Sequence, residues 1–142
     1  NSVKYIPAMV AAFLTAEPSM RRPKNSASSL RRKVAAEAVL QVRERYKGIK
    51  LIAAVPFRKQ PLWFEAEDRL LYARLLERMD RVVMVSENYH KGCYLRRDEY
   101  MVRKADTVIA YWVLVPKGGT FYTISKALES GKPVINIHER LR

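Results

Sequence analysis

Gly118, Gly119 and Thr120 are the residues of this chain best suited to hold an anion. They separate a β-branched apolar run from a segment of helical periodicity. Two residues without a Cβ let a ligand approach the main chain closely. The first amides of a helix have no acceptor within it and lie at the positive end of its dipole. The amides of residues 119–122 are therefore expected to be open, with phosphate or carboxylate as the natural guest. Thr120 is expected to N-cap the helix, its hydroxyl accepting a bond from a first-turn N–H. A β–α turn using its glycines for geometry alone is the other reading of so short a motif.

Other side chains suit chemistry less well. His90 titrates nearest neutrality but has no evident partner in the sequence, and His138 lies near the chain end. Cys93 follows Gly92 near an expected helix start, where a thiolate is favoured, yet a nucleophile also needs a base. As the sole cysteine it excludes an internal disulfide and a multi-cysteine metal site, and it fits a reducing cytoplasm. No catalytic residue and no metal ligand is assigned, and no cofactor is expected beyond a nucleotide-like ligand. Trp112 ends the strand before the glycines, where its ring can stack on a base or pack in the core.

The elements that must position these residues follow from periodicity. Asp106–Trp112 reads as a strand buried on both faces, and Pro116-Lys117-Gly118-Gly119 breaks it. In the helix that follows, Ile124, Ala127 and Leu128 share a face; Gly131 suits the C′ position, and Pro133 prevents continuation. Pro133–Ile137 is a second strand, so the unit is strand–helix–strand with parallel strands.

Upstream, a helix from about Ser29 carries the stripe Val34, Ala35, Ala38, Val39 and Val42 and ends at Gly48. A strand Ile49–Val55 closes at Pro56, and 57–63 form a connection. A helix Glu65–Met79 turns Leu71, Leu75, Leu76 and Met79 inward. A strand Arg81–Val85, a loop Ser86–Gly92 and a helix Tyr94–Lys104 complete the order, with Met9–Leu14 as a weak first strand. Five strands alternating with four helices predict an α/β fold, Rossmann-like and doubly wound, with a mostly parallel sheet and helices on both faces. Ligands then sit beyond the carboxyl ends of the strands. Residues 1–142 are expected to form one domain, with 1–33 atypical and partly loop.

The chain carries a formal net charge of +13, which favours anionic partners. Residues 1–33 hold seven bases against one acid. A basic nucleic-acid surface is thus conceivable, although no RNP-like aromatic pattern and no paired-cysteine zinc signature accompanies it. No apolar run approaches the roughly 18 residues of a membrane span, and nothing resembles a secretory signal. A cytoplasmic protein without a membrane partner is expected, with a homodimer as a further expectation.

An ordered set of residues resembles a known family. It comprises Ala35-Ala-Glu-Ala-Val-Leu40, Lys50–Phe57, Trp63 with Glu67 and Arg69, Val85-Ser86, Tyr89, Gly92-Cys93, Arg97, Tyr100-Met-Val102, Ala105-Asp106, Ile109-Ala110, Gly118-Gly-Thr120, Tyr122-Thr123, Ala127, Gly131-Lys132 and Ile135. Together these look like the YpsA-type branch of the SLOG superfamily of Rossmann-like proteins. The resemblance implies binding of a nucleotide or nucleotide-derived molecule, as a sensor or binding module. It implies Gly118, Gly119 and Thr120 as the phosphate site and Arg97 as a phosphate or ribose contact; Trp112, by its position before the glycines, and Tyr122 are expected to shape the pocket, and Asp106 is a pocket candidate if its side chain reaches it. An ion pair with Asp98 or Glu99 is the other use for Arg97.

The opening of the chain departs from the family pattern. Where the family has a Thr-Gly-His-Arg-Pro-like motif, Phe13-Leu-Thr-Ala-Glu-Pro18 stands. Lys24–Lys33 replaces a glycine-rich turn with its Asp. The superfamily also contains phosphoribohydrolases, so a nucleotide N-glycosidase is the rival reading, with Glu67 or Asp106 as its carboxylate. Those enzymes carry Pro-Gly-Gly-x-Gly-Thr and then a glutamate. This chain reads Pro116-Lys-Gly-Gly-Thr-Phe-Tyr-Thr-Ile-Ser125, with no third glycine and no Glu before Glu129. A nucleic-acid-binding module is the second rival.

Overall fold

The computed structural model describes residues 27–141, with side chains from residue 36 onward. The helix α1 (Ala27–Arg45) leads through Gly48 into the strand β1 (Ile52–Phe57). A 3-10 turn, Gln60–Trp63, precedes α2 (Ala66–Glu77) and β2 (Arg81–Ser86). Then come α3 (Cys93–Lys104), β3 (Val108–Ala110), α4 (Gly119–Glu129), β4 (Val134–Asn136) and the single turn α5 (Ile137–Arg140).

The strands form two parallel pairs, each joined by a helix. β1 pairs with β2 from Ile52 opposite Arg81 to Phe57 opposite Ser86, with α2 as the crossover. β3 pairs with β4 from Val108 opposite Val134 to Ala110 opposite Asn136, with α4 as the crossover. The alternation of strand and helix, with parallel pairing, is the expected one. The five-stranded sheet is not found: among the described residues the strands make two separate two-stranded sheets. Met9–Leu14 lies outside the described residues. The β3–β4 ladder is short because it ends at Ala110, beyond which a side chain takes over the pairing.

Pro56 does not close β1 but lies within it, fully buried. A proline has no N–H to give to a ladder. The register accordingly passes from Val55–Met84 to Phe57–Ser86 without using Pro56. Ala53 to Phe57 are all buried, as expected of a strand covered on both faces.

The core is divided into clusters that follow the two units. Val39, Leu40 and Leu51 pack with Ile49 and Met79. Ala53, Val55 and Tyr72 pack with Phe64, Leu76, Met79 and Met84. Val102, Ala105, Val108 and Ala127 form the third cluster with Val134. The face α1 buries is rotated from the expected stripe: Ala36, Val39 and Leu40 are buried and Ala38 is exposed. The rotation places the large Leu40 side chain, rather than an alanine, against Leu51, which removes more apolar area from water.

α3 joins the two units. It packs against β1 and β2 on one side and against α4 on the other. Lys132, just before β4, donates from Nζ to the carbonyls of Val102 at 2.5 Å and Arg103 at 2.9 Å. A cation on the last-turn carbonyls of a helix is favourable for the dipole as well as for the hydrogen bonds. In the β1–β2 unit, Asp80 Oδ2 accepts from the Leu51 amide at 2.6 Å and from Arg43 Nη1 at 2.9 Å. One carboxylate therefore ties the end of α1, the approach to β1 and the start of β2. These bonds hold its pKa below the ordinary aspartate value, the Leu51 amide contributing most.

Candidate functional site

The glycine turn is prepared by the loop that leaves β3. Trp112 donates its amide to Asn136 Oδ1 at 3.0 Å, and Asn136 Nδ2 donates to the Trp112 carbonyl at 2.9 Å. Trp112 Nε1 then donates to the Val115 carbonyl at 2.8 Å, folding the loop back on its own indole. The Lys117 amide bonds the same carbonyl at 2.8 Å, a three-residue turn about Pro116. Within this loop Leu114 has φ of 66°, a left-handed conformation unusual for a branched side chain.

Gly118 has φ of 90° and occupies the N-cap of α4. That conformation is the reason for a glycine there, because a Cβ would meet open space rather than a neighbouring atom. Thr120 is not the cap: the helix begins at Gly119, which makes Thr120 its second residue, and no side chain caps the N-terminus. The expected run of open amides is one residue shorter, since the Tyr122 amide bonds the Gly118 carbonyl at 3.1 Å. The amides of residues 119–121 precede the first intrahelical acceptor.

A depression of about 480 Å³ runs along α4, from Gly118 and Gly119 past Phe121, Tyr122, Ser125 and Lys126 to Glu129, with Leu95 of α3 also lining it. The Tyr122 hydroxyl donates to Glu99 Oε1 at 2.5 Å, fastening α4 to α3. That bond, with lesser burial and charge effects, pushes the Tyr122 phenol up to about 12. Lys126 Nζ lies 5.5 Å from the Tyr122 ring centroid and 3.5 Å from Glu129 Oε2.

The other expected site residues are dispersed. Arg97 does not line the depression: its side chain has 0% exposure, and its Nε donates to Asp98 Oδ1 at 2.7 Å, with Asp98 at 1%. The ion pair foreseen as its other use is thus made, but inside the protein rather than on its surface. Trp112 stands one ring behind the wall, its centroid 5.7 Å from that of Phe121. Asp106 is exposed before the amino end of β3, whereas the glycines follow its carboxyl end. Glu67 is exposed on the first turn of α2. Glu129 lines the depression but lies ten residues beyond Gly119, about 15 Å along a helix. Among the described residues no group of three or more His, Cys, Asp or Glu is placed to hold a metal ion. None of the described helices is long and apolar enough to cross a membrane.

A second constellation at the carboxyl ends of β1 and β2 was not singled out from the sequence. The Phe57 ring meets Trp63 edge-on at 5.1 Å, Tyr89 at 5.5 Å and Tyr94 at 6.1 Å between centroids. Trp63 and Tyr89 lie 4.8 Å apart. His90, expected to be alone, approaches Ser86 Oγ with Nε2 at 3.1 Å, and its Nδ1 lies 3.1 Å from the Lys91 carbonyl. The legible signal was positional: Trp63 and Tyr89 fall in the two loops that leave parallel strands at their carboxyl ends.

Parallel strand pairs, helical crossovers and a glycine turn opening a helix beyond a strand's carboxyl end define a Rossmann-like α/β protein. Residues 32–133 match the sequence model of the YspA SLOG family, and the chain belongs to that family. No curated protein matches the chain.

Proposed function

We propose that this protein binds a nucleotide or nucleotide-derived anion at the N-terminus of α4, as a sensor or binding module. The observation that carries this reading is the helix start at Gly118 and Gly119, which has no side-chain cap and borders a depression. Backbone amides and the helix dipole would hold phosphate there. Membership of the SLOG family supports a nucleotide-related role, and the net charge of +13 raises the local concentration of any anion.

Neither carboxylate named for a nucleotide N-glycosidase is at the turn, since Asp106 precedes the amino end of β3 and Glu67 is on α2. The binding reading is therefore the better supported. Calorimetric titration with pyrophosphate and with ribonucleoside monophosphates tests it, alongside Gly118→Val. That variant should lose phosphate binding, because a β-branched residue is strained at positive φ and narrows the approach to the amides. Equal binding by Gly118→Val and the parent would place the anion elsewhere.

A further inference from the structure

We propose that the ring pair Trp63–Tyr89 is the seat of the ligand's heterocyclic base, a subsite separate from the glycine turn; this rests on the nucleotide reading above. Trp63 is 51% exposed and Tyr89 40%, although both rings are large and apolar. They come from different loops, yet both are braced edge-on by the buried Phe57 ring. An aromatic surface fixed in this way offers a π-face at little cost in side-chain entropy, and every base presents a matching face.

Three further observations favour a base with attached phosphate over an apolar partner. First, two polar groups next to the rings have no well-aligned hydrogen-bond partner among the described residues and approach only each other. They are the Gln60 amide nitrogen, on a residue 1% exposed, and the Tyr94 hydroxyl. These two groups lie near each other, and burial pushes the Tyr94 phenol up. A buried polar group without a well-aligned partner is costly, so small movements that bring a base edge to them are rewarded. Second, Lys59 and Lys91 flank the rings in sequence and are exposed, while Glu87 is paired with Arg58 at 2.6 Å and Glu65 is the other acid near Trp63. Third, consecutive residues of the first turn of α3 serve both places. Tyr94 joins the ring cluster and Leu95 borders the glycine depression, so both proposed seats border the first turn of α3.

Heat is recorded on the full parent chain, and emission on a Trp112→Phe version that leaves Trp63 as the sole tryptophan and is used only where it binds pyrophosphate as the parent does, because the Trp112 indole bonds Val115 in the loop before Gly118. AMP, GMP, CMP, UMP, ribose 5-phosphate and pyrophosphate are titrated while Trp63 emission and heat are recorded. At least one monophosphate should quench Trp63 and bind more tightly than ribose 5-phosphate. Trp63→Ala, and independently Tyr89→Leu, should weaken that nucleotide roughly 5- to 150-fold and leave pyrophosphate affinity unchanged. Both residues are more than a third exposed, and circular dichroism checks that the variants fold. Nucleotide and ribose 5-phosphate binding equally, with neither variant changing affinity, overturns the base seat while the phosphate site stands. Quenching that appears only with a protein or peptide fraction and with none of the nucleotides also overturns it. Failure of every nucleotide and of pyrophosphate to bind overturns the nucleotide reading and this inference together.

Discussion

The carboxamide of Asn136 grips the main chain of Trp112 with two hydrogen bonds, its Oδ1 accepting from the Trp112 amide at 3.0 Å and its Nδ2 donating to the Trp112 carbonyl at 2.9 Å. A side chain here continues a ladder whose last backbone pair is Ala110 opposite Asn136 itself. Asn136 Oδ1 also accepts the His138 amide at 3.2 Å, capping α5. One residue thus ends a strand, starts a helical turn and aims the loop that delivers Gly118. Asn136→Ala should lower stability by about 1–3 kcal/mol, the cost of unpaired main-chain groups, and should weaken pyrophosphate binding. Asn136→Asp keeps the acceptor and should fall between the two. Urea denaturation with parallel titrations measures both effects.

The buried pair Arg97–Asp98 predicts a stability effect. Removing one member of a buried ion pair costs about 3–5 kcal/mol, whereas replacing both with apolar residues of similar volume costs far less. Arg97→Met alone should therefore destabilise strongly, and Arg97→Met combined with Asp98→Leu should recover much of the loss. Denaturant midpoints of the single and double variants decide this. A loss confined to phosphate affinity, with stability intact, would return Arg97 to the ligand.

The Tyr122–Glu99 bond predicts alkaline sensitivity. The Tyr122 phenol is raised to about 12 in the folded protein, against about 10 in an unfolded chain. The neutral, donating form is the one that folding favours. Its contribution is complete below pH 10 and is lost as pH rises toward 12. Thermal melts across that window should show a fall attributable to this residue, and Tyr122→Phe should flatten it.

Asp80 predicts the opposite dependence. Its pKa is lowered in the folded state by the Leu51 amide and Arg43. The stabilisation is present above about pH 4, the range of an unfolded aspartate, and is lost as pH falls through the folded value. Asp80→Ala should cost about 1–3 kcal/mol near neutrality by stranding the amide of the buried Leu51. It should also make acid unfolding less steep, as followed by circular dichroism from pH 5 to 2.

Much of the architecture was legible in the residues alone. Runs such as 81–85 and the turn glycines at 118 and 131 marked strands and helix ends, because periodicity and positive φ are local demands. The family resemblance likewise followed from an ordered set of positions. Local signals could not say which strands pair, and the structure divides them into two sheets. Nor could they place an arginine: Arg97 suits a phosphate equally well by type, and only the packing of α3 against β1 and β2 encloses it with Asp98. The meeting of Phe57, Trp63, Tyr89 and Tyr94 was hidden for the same reason. Their spacing in the chain is irregular, and parallel pairing alone brings their loops to one end of the sheet. The sequence by itself determined the elements and the glycine turn through nearest-neighbour sterics and hydrophobic period. Which side chains share a site was decided by tertiary structure, because contacts distant in sequence depend on strand pairing and helix packing.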